Sequence, residues 1–231
     1  MGENFAFQGY KNNMFYWSDQ SIEWFSSSAK QTDFHKILAN EIIPYLSNDS
    51  TLLSLGSGLG FLEREISPYL KSMTLVDNSQ KVIEYLNKNK KSNQVIINGD
   101  SNKIDVKADY LLLSFFSRMF IADTIEHYLK LTKDKIFYIV NQRRSDIETV
   151  IQYLDSKNLV YSYKKMKLQF NQELKTSEID AYLTHYYSSC SEEKRQNLLN
   201  QFEKIDSENV IFKNRKKIVL FIISKQGDIG L

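Results

Sequence analysis

Thr51-Leu52-Leu53-Ser54-Leu55-Gly56-Ser57-Gly58-Leu59-Gly60-Phe61-Leu62-Glu63-Arg64-Glu65-Ile66-Ser67 changes character twice within one short stretch. An apolar run leads into three glycines at alternate positions, and these lead into residues with helical spacing. The pattern reads as a buried strand, a tight turn and a helix start. Glycine suits such a turn because it adopts backbone angles that other residues disfavour, and because the missing Cβ lets a ligand lie against the main chain. The helix that follows presents free N–H groups and the positive end of its dipole, so a ligand with a carboxylate or another polar group fits. A nucleotide-like cofactor is the natural candidate.

The spacing of the glycines narrows the choice. A dinucleotide site uses Gly-x-Gly-x-x-Gly, whose third glycine would fall at position 61, where this chain has Phe61. Gly56, Gly58 and Gly60 instead form Gly-x-Gly-x-Gly, which resembles the first motif of class I S-adenosylmethionine-dependent methyltransferases. That family usually carries Asp or Glu two residues before the first glycine, and this chain has Ser54. The departure removes the usual acidic support for the amino group of the cofactor. A glycine-rich turn in an unrelated α/β protein is the competing reading of this stretch taken alone.

Further strands follow in order. Ser72 to Val76 reads as a strand ending at Asp77, 21 positions after Gly56, where an α/β nucleotide site places its ribose-binding acid. A helix from Ser79 to about Lys90 precedes a strand at Gln94 to Ile97 and the turn Asn98-Gly99-Asp100-Ser101. The resemblance implies that Asp100 accepts a hydrogen bond from the adenine amino group. Ala108 to Leu113 reads as the next strand, with Ser114-Phe115-Phe116-Ser117-Arg118 at its end, facing the transferred methyl group. This loop lacks the Asn/Asp-Pro-Pro-Tyr/Phe sequence of methyltransferases that modify amino groups of adenine or glutamine. The resemblance thus implies cofactor contacts from Gly56, Ser57, Gly58, Gly60, Asp77, Asn78, Asp100, Ser101, Ser114 and Phe115, with S-adenosyl-L-methionine as cofactor and S-adenosyl-L-homocysteine as product.

Outside this block, Phe5, Phe7, Tyr10, Phe15, Tyr16, Trp17, Trp24, Phe25 and Phe34 crowd the start of the chain, and so many rings need something to pack on. They read as a lid over a cationic group or as a hydrophobic cover without a chemical role. The spacing of Phe34, Ile37, Leu38 and Ile42 predicts an amphipathic helix ending near Pro44. Lys135 to Val140 reads as a fifth strand, with Arg143 and Arg144 at its carboxyl end as anion holders or surface caps. Residues 174–207 read as a helical insertion containing His185, Tyr186 and Tyr187. His185 is a weak candidate for a general base, as is Tyr16 for a catalytic role, with packing as the plainer reading of both. Candidate substrate contacts are Tyr10, Tyr16, Trp17, Phe116, Arg143 and Tyr186. Lys217 to Ile223 is a continuous apolar run, as befits a central last strand.

Together these elements predict an α/β fold: a doubly wound, mostly parallel seven-stranded sheet of the Rossmann-like methyltransferase type. An aromatic helical lid over residues 1–48 would precede the methyltransferase domain at 49–231. At 231 residues, 42% hydrophobic and 25% charged, the chain has ordinary globular composition. A net charge of +2 gives no bulk signal for nucleic acid, which makes a small-molecule substrate the expectation and a nucleic-acid partner unlikely. The run Lys213-Asn214-Arg215-Lys216-Lys217 reads as a solvated turn. One cysteine, Cys190, and three scattered histidines exclude an internal disulfide and argue against a metal site. No membrane-length apolar run and no secretory signal are visible, so a cytoplasmic location is expected. The oligomeric state is open. The expected reaction is in-line methyl transfer to a small molecule. An RNA or protein methyltransferase and a non-catalytic S-adenosylmethionine-binding protein are the alternatives, with an NAD-dependent reductase disfavoured by Phe61.

Overall fold

A short antiparallel hairpin, β1 (Tyr10–Lys11) and β2 (Met14–Phe15), opens the described part of the computed structural model, which covers residues 10–11, 14–116, 122–142, 144–188 and 190–225. Helix α1 (Asp19–Gln31) is started by a reciprocal cap: the Ser21 N–H donates to Ser18 Oγ at 3.0 Å and the Ser18 N–H donates to Ser21 Oγ at 2.8 Å. Helix α2 (Phe34–Ile42) stops where Pro44 tightens the chain into a 3₁₀ turn. The alternating part follows as β3 (Thr51–Leu55), α3 (Phe61–Ile66), β4 (Ser72–Asp77), α4 (Gln80–Asn89), β5 (Gln94–Asn98), β6 (Ala108–Ser114), α5 (Ala122–Leu131), β7 (Thr132–Asn141), α6 (Arg144–Ser156) and β8 (Val160–Gln169). The chain continues through β9 (Gln172–Lys175), α7 (Ile179–Tyr187), α8 (Glu192–Leu199), β10 (Phe202–Lys204), β11 (Asn209–Phe212) and β12 (Arg215–Ser224).

Seven strands form one sheet in the order β5-β4-β3-β6-β7-β12-β8. The five from β5 to β7 are mutually parallel, and β12 runs antiparallel to β7 with Ile218 opposite Asn141. The expected doubly wound, mostly parallel seven-stranded sheet is therefore present. The chain leaves β3 outward to β5 and then returns to β6 on the other flank of β3. That reversal opens a crevice at the carboxyl tips of β3 and β6, which is where such sheets bind ligands. The apolar runs are explained by cover on both faces: Leu53, Leu55, Leu111, Leu113, Val219 and Phe221 are all fully buried. At the opposite end, the Thr51 N–H and hydroxyl both donate to Asp109 Oδ2 at 2.8 Å, tying β3 to β6.

Two compact units are present, residues 35–168 with 216–231, and residues 1–34 with 169–215. The first holds the large sheet. The second has its own core of Trp24, Leu174, Tyr182, Leu183, Val210 and Phe212, and a three-stranded antiparallel sheet ordered β10-β11-β9. Two expectations need correction here. The stretch 174–207 is only partly helical, because Leu174 and Lys175 end β9 and Phe202–Lys204 forms β10, both paired with β11. The stretch 1–48 is divided, since residues from His35 onward belong with the large sheet. Helix α1 escaped the sequence reading because part of its packed face is serine: Ser21, Ser26 and Ser28 are buried beside Trp24. No helix among the described residues is long and apolar enough to cross a membrane.

Leu53 lies at the centre of the sheet with no exposed surface. Leu53→Ala should destabilise the chain by about 2–5 kcal/mol, read as a lower urea midpoint with an unchanged slope.

Candidate functional site

The strand β3 ends in a turn whose three glycines all adopt left-handed angles, with φ of +63° at Gly56, +53° at Gly58 and +66° at Gly60. At two of them space is closed as well. A Cβ on Gly56 would lie 2.0 Å from the Phe116 ring, and one on Gly60 would lie 2.7 Å from Leu86 Cδ2. The turn is pinned by the Ser57 N–H donating to the Val76 carbonyl and the Gly60 N–H donating to the Ser57 carbonyl, each at 3.1 Å. A third turn amide, Gly58 N–H, donates to Asp77 Oδ2 at 3.0 Å.

Asp77 stands at the tip of β4, and its other oxygen accepts the Ser79 N–H at 2.9 Å. Burial pushes its carboxyl above the ordinary value even though these N–H groups pull the other way. The Ser79, Gly58 and Asn78 backbone N–H groups all act on it, and desolvation outweighs them. Asn98 is the register partner of Asp77, and the Gly99 N–H donates to the Asp77 carbonyl at 3.0 Å, which sets Asp100 two residues beyond on the neighbouring tip. Asp100 is exposed and accepts the Asn102 N–H at 3.0 Å, capping the turn that starts with Ser101. Asn78 is exposed and Ser57 is buried.

Across the crevice, Ser114 ends β6 opposite Ile139 of β7, and the Phe115 N–H donates to the Ile139 carbonyl at 2.9 Å. Phe115 has φ of +54°, a left-handed angle that disfavours a side chain by roughly 1–2 kcal/mol. Its ring is 40% exposed, while Phe116 turns inward against Gly56 and the core beneath. A non-glycine residue held in that geometry at the switch point of the sheet marks a place where the fold spends stability on shape.

Ser54 and Glu63 form a feature that the sequence reading missed. Both are buried, and Ser54 Oγ donates to Glu63 Oε1 at 2.6 Å. Burial raises the Glu63 carboxyl above its ordinary value of 4.5, against the pull of the Ser54 hydrogen bond. The absent acid at position 54 thus has a physical reason, because a second carboxyl there would meet that of Glu63 in the core. The available signal was a glutamate between Leu62 and Ile66 on the buried face of α3.

His35 and Lys216 were also missed. His35, in α2, stacks on Phe61 with ring centroids 5.5 Å apart, and Arg64 lies over the same ring at 4.3 Å. Burial, Lys216 and Arg64 together hold the imidazole down to about 3. The basic run expected to be a solvated turn instead begins β12. Arg215 and Lys217 are exposed, whereas Lys216 is partly covered along its stem and its amine is enclosed, which lowers it to about 8.

The remaining sequence candidates lie in the smaller unit or outside the described residues. His185 and Tyr186 pack around Trp24, with His185 6.1 Å and Tyr186 6.2 Å from its ring, inside an aromatic cluster that includes Tyr182. Trp17 meets Phe25 edge-on at 5.5 Å, and Tyr16 is 51% exposed. Arg143 and the side chain of Tyr10 lie outside the described residues. No group of three or more His, Cys, Asp or Glu side chains that could hold a metal ion occurs among the described residues.

No protein-family model matches the chain, and no curated protein matches it by sequence. Solved structures do. PH1948 from Pyrococcus horikoshii, described as a candidate RNA methyltransferase, superposes with a TM-score of 0.57 at 13% identity over 84% of this chain and 84% of that one. Precorrin-6y C5,15-methyltransferase from Geobacter metallireducens gives 0.53 at 10% identity, over 84% and 87%. The precorrin 8W decarboxylase from Methanobacterium thermoautotrophicum gives 0.53 at 10% identity, over 84% and 89%. The chain has the class I methyltransferase fold.

Within the class I methyltransferase fold, one expectation falls. Nucleic acid was read as an unlikely partner from net charge, yet PH1948 shares the fold and is described as acting on RNA. Bulk charge averages over the whole surface, whereas nucleic-acid contact depends on local charge.

Two measurements test the Ser54–Glu63 pair. Ser54→Ala should lose about 1–3 kcal/mol by leaving a buried carboxyl oxygen without its donor, and Ser54→Asp should lose more, both by urea unfolding. Glu63 has a folded value raised above its ordinary 4.5, so its contribution is fully present below 4.5 and is lost as pH rises from there through the raised folded value. Glu63→Gln should therefore gain stability relative to wild type as pH rises from 4.5 towards neutrality, read as thermal midpoints across that range.

Proposed function

We propose that the chain is an S-adenosylmethionine-dependent methyltransferase that binds the adenosyl part of its cofactor along the glycine turn. The observation that carries this reading is the Gly58 amide donating to Asp77 at the switch point of the sheet. Asp77 is half-buried at the strand tip, where a carboxylate can accept both hydroxyls of a sugar diol in a charge-assisted contact. Asp100, on the adjacent tip, offers an exposed carboxylate to the adenine amino group. Phe116 forms a wall over Gly56, and Phe115 sits where the acceptor would approach.

When bound, S-adenosylmethionine supplies a methyl group already activated by the positive sulfur. The task left to the chain is to align an acceptor lone pair behind that methyl and to exclude water. This accounts for a site built from backbone, carboxylates and rings.

Calorimetric titration with S-adenosylmethionine and S-adenosylhomocysteine tests the reading. Wild type should bind both. Gly58→Arg should abolish binding, since the position needs a left-handed backbone, and Asp77→Ala should weaken it at least about tenfold, as expected for a charge-assisted contact of about 1.5–3 kcal/mol. Unchanged affinity in both variants would reject the site. Release of S-adenosylhomocysteine with a panel spanning small hydroxy and amino compounds and total RNA then identifies the acceptor.

A further inference from the structure

The start of β12, Arg215 to Lys217, carries a lysine to which the cofactor reading above gives no role. Strand β12 runs antiparallel to β7, and the Gln142 N–H donates to the Lys217 carbonyl at 2.7 Å. The first residues of β12 therefore extend past the carboxyl tip of β7, on the side where the methyl acceptor would enter. Exposure alternates along them, so that Lys216 turns inward between the exposed Arg215 and Lys217. Its Nζ lies 5.9 Å from the centroid of the Phe115 ring. Phe115 is the strained residue of the β6 loop, and its neighbour Phe116 covers Gly56. Glycine turn, ring wall and amine thus succeed one another across the crevice.

We propose that Lys216 is the general base of the reaction, taking the proton from the methyl acceptor, which makes the acceptor a hydroxyl or N–H nucleophile. This rests on the methyl-transfer reading above. The acceptor O–H or N–H bond breaks and its proton passes to the Lys216 Nζ lone pair. The electron pair left on the acceptor forms the new bond to the methyl carbon of S-adenosylmethionine. The carbon–sulfur bond breaks with its pair returning to sulfur, and the Lys216 ammonium then releases its proton to water.

The surroundings suit that task. Burial of the amine favours the neutral form, and lowered to about 8 it leaves a useful fraction unprotonated at neutral pH. Among the described residues, His35 from α2 is a titratable group that feels Lys216, and Arg64 from α3 acts on the same imidazole. His35 is held near 3 and so does not titrate near neutrality.

Three readouts test this. Trace acetylation of the full chain by acetic anhydride, followed peptide by peptide, should give Lys216 a reactivity midpoint near 8. Lys216→Met should bind S-adenosylhomocysteine with wild-type affinity and lose turnover by about 10²–10⁴-fold on any acceptor that wild type uses. Lys216→Arg keeps the charge but cannot give up a proton, and should be equally inactive. A Lys216 midpoint near 10.5 overturns the assignment, as does near-wild-type turnover by either variant. Failure of wild type to bind S-adenosylhomocysteine would instead reject the methyl-transfer reading itself.

Discussion

The site depends on one backbone constraint: β3 must stop and reverse within five residues while its neighbours on both flanks continue. Left-handed angles at alternate positions achieve this, and the turn is then latched to the adjacent strand by the Gly58 amide on Asp77. Because β3 is central and fully buried, the turn has no freedom to relax outward. The same rigidity lets Phe116 close onto Gly56 and fixes the wall of the crevice.

Below that turn lies an unusual placement of charge. A carboxyl sits in the core on α3 rather than on β3, held by a serine hydroxyl from the strand. Burial makes that carboxyl reluctant to ionise, and the hydrogen bond only partly offsets this. Ser54 is therefore the complement of Glu63, and its departure from the usual acid is explained without any loss of the fold.

In the smaller unit the aromatic side chains form a packed core. Trp24, Tyr182, Tyr186 and Phe212 pack at centroid distances of 4.8–6.2 Å, and the desolvation that buries Tyr182 also removes it from any acid–base role near neutrality. A histidine beside two tyrosines becomes part of a core with its own three-stranded sheet. The rings need cover, and that sheet and α7 provide it.

Residues 51–67 determined strand, turn and helix by themselves, and the succession of apolar runs determined the doubly wound sheet and the places of Asp77 and Asp100 at strand tips. These signals are local: hydrophobic periodicity, glycine spacing and the obligatory position of a residue at a strand end. Tertiary structure alone decided the pairings of Ser54 with Glu63, Phe116 with Gly56 and Lys216 with Phe115. Each joins different elements, and the direction in which a side chain such as Lys216 points follows from the register of β12 on β7. A one-residue slip in that register would have turned Lys216 outward, and no spacing along a single chain records which register wins.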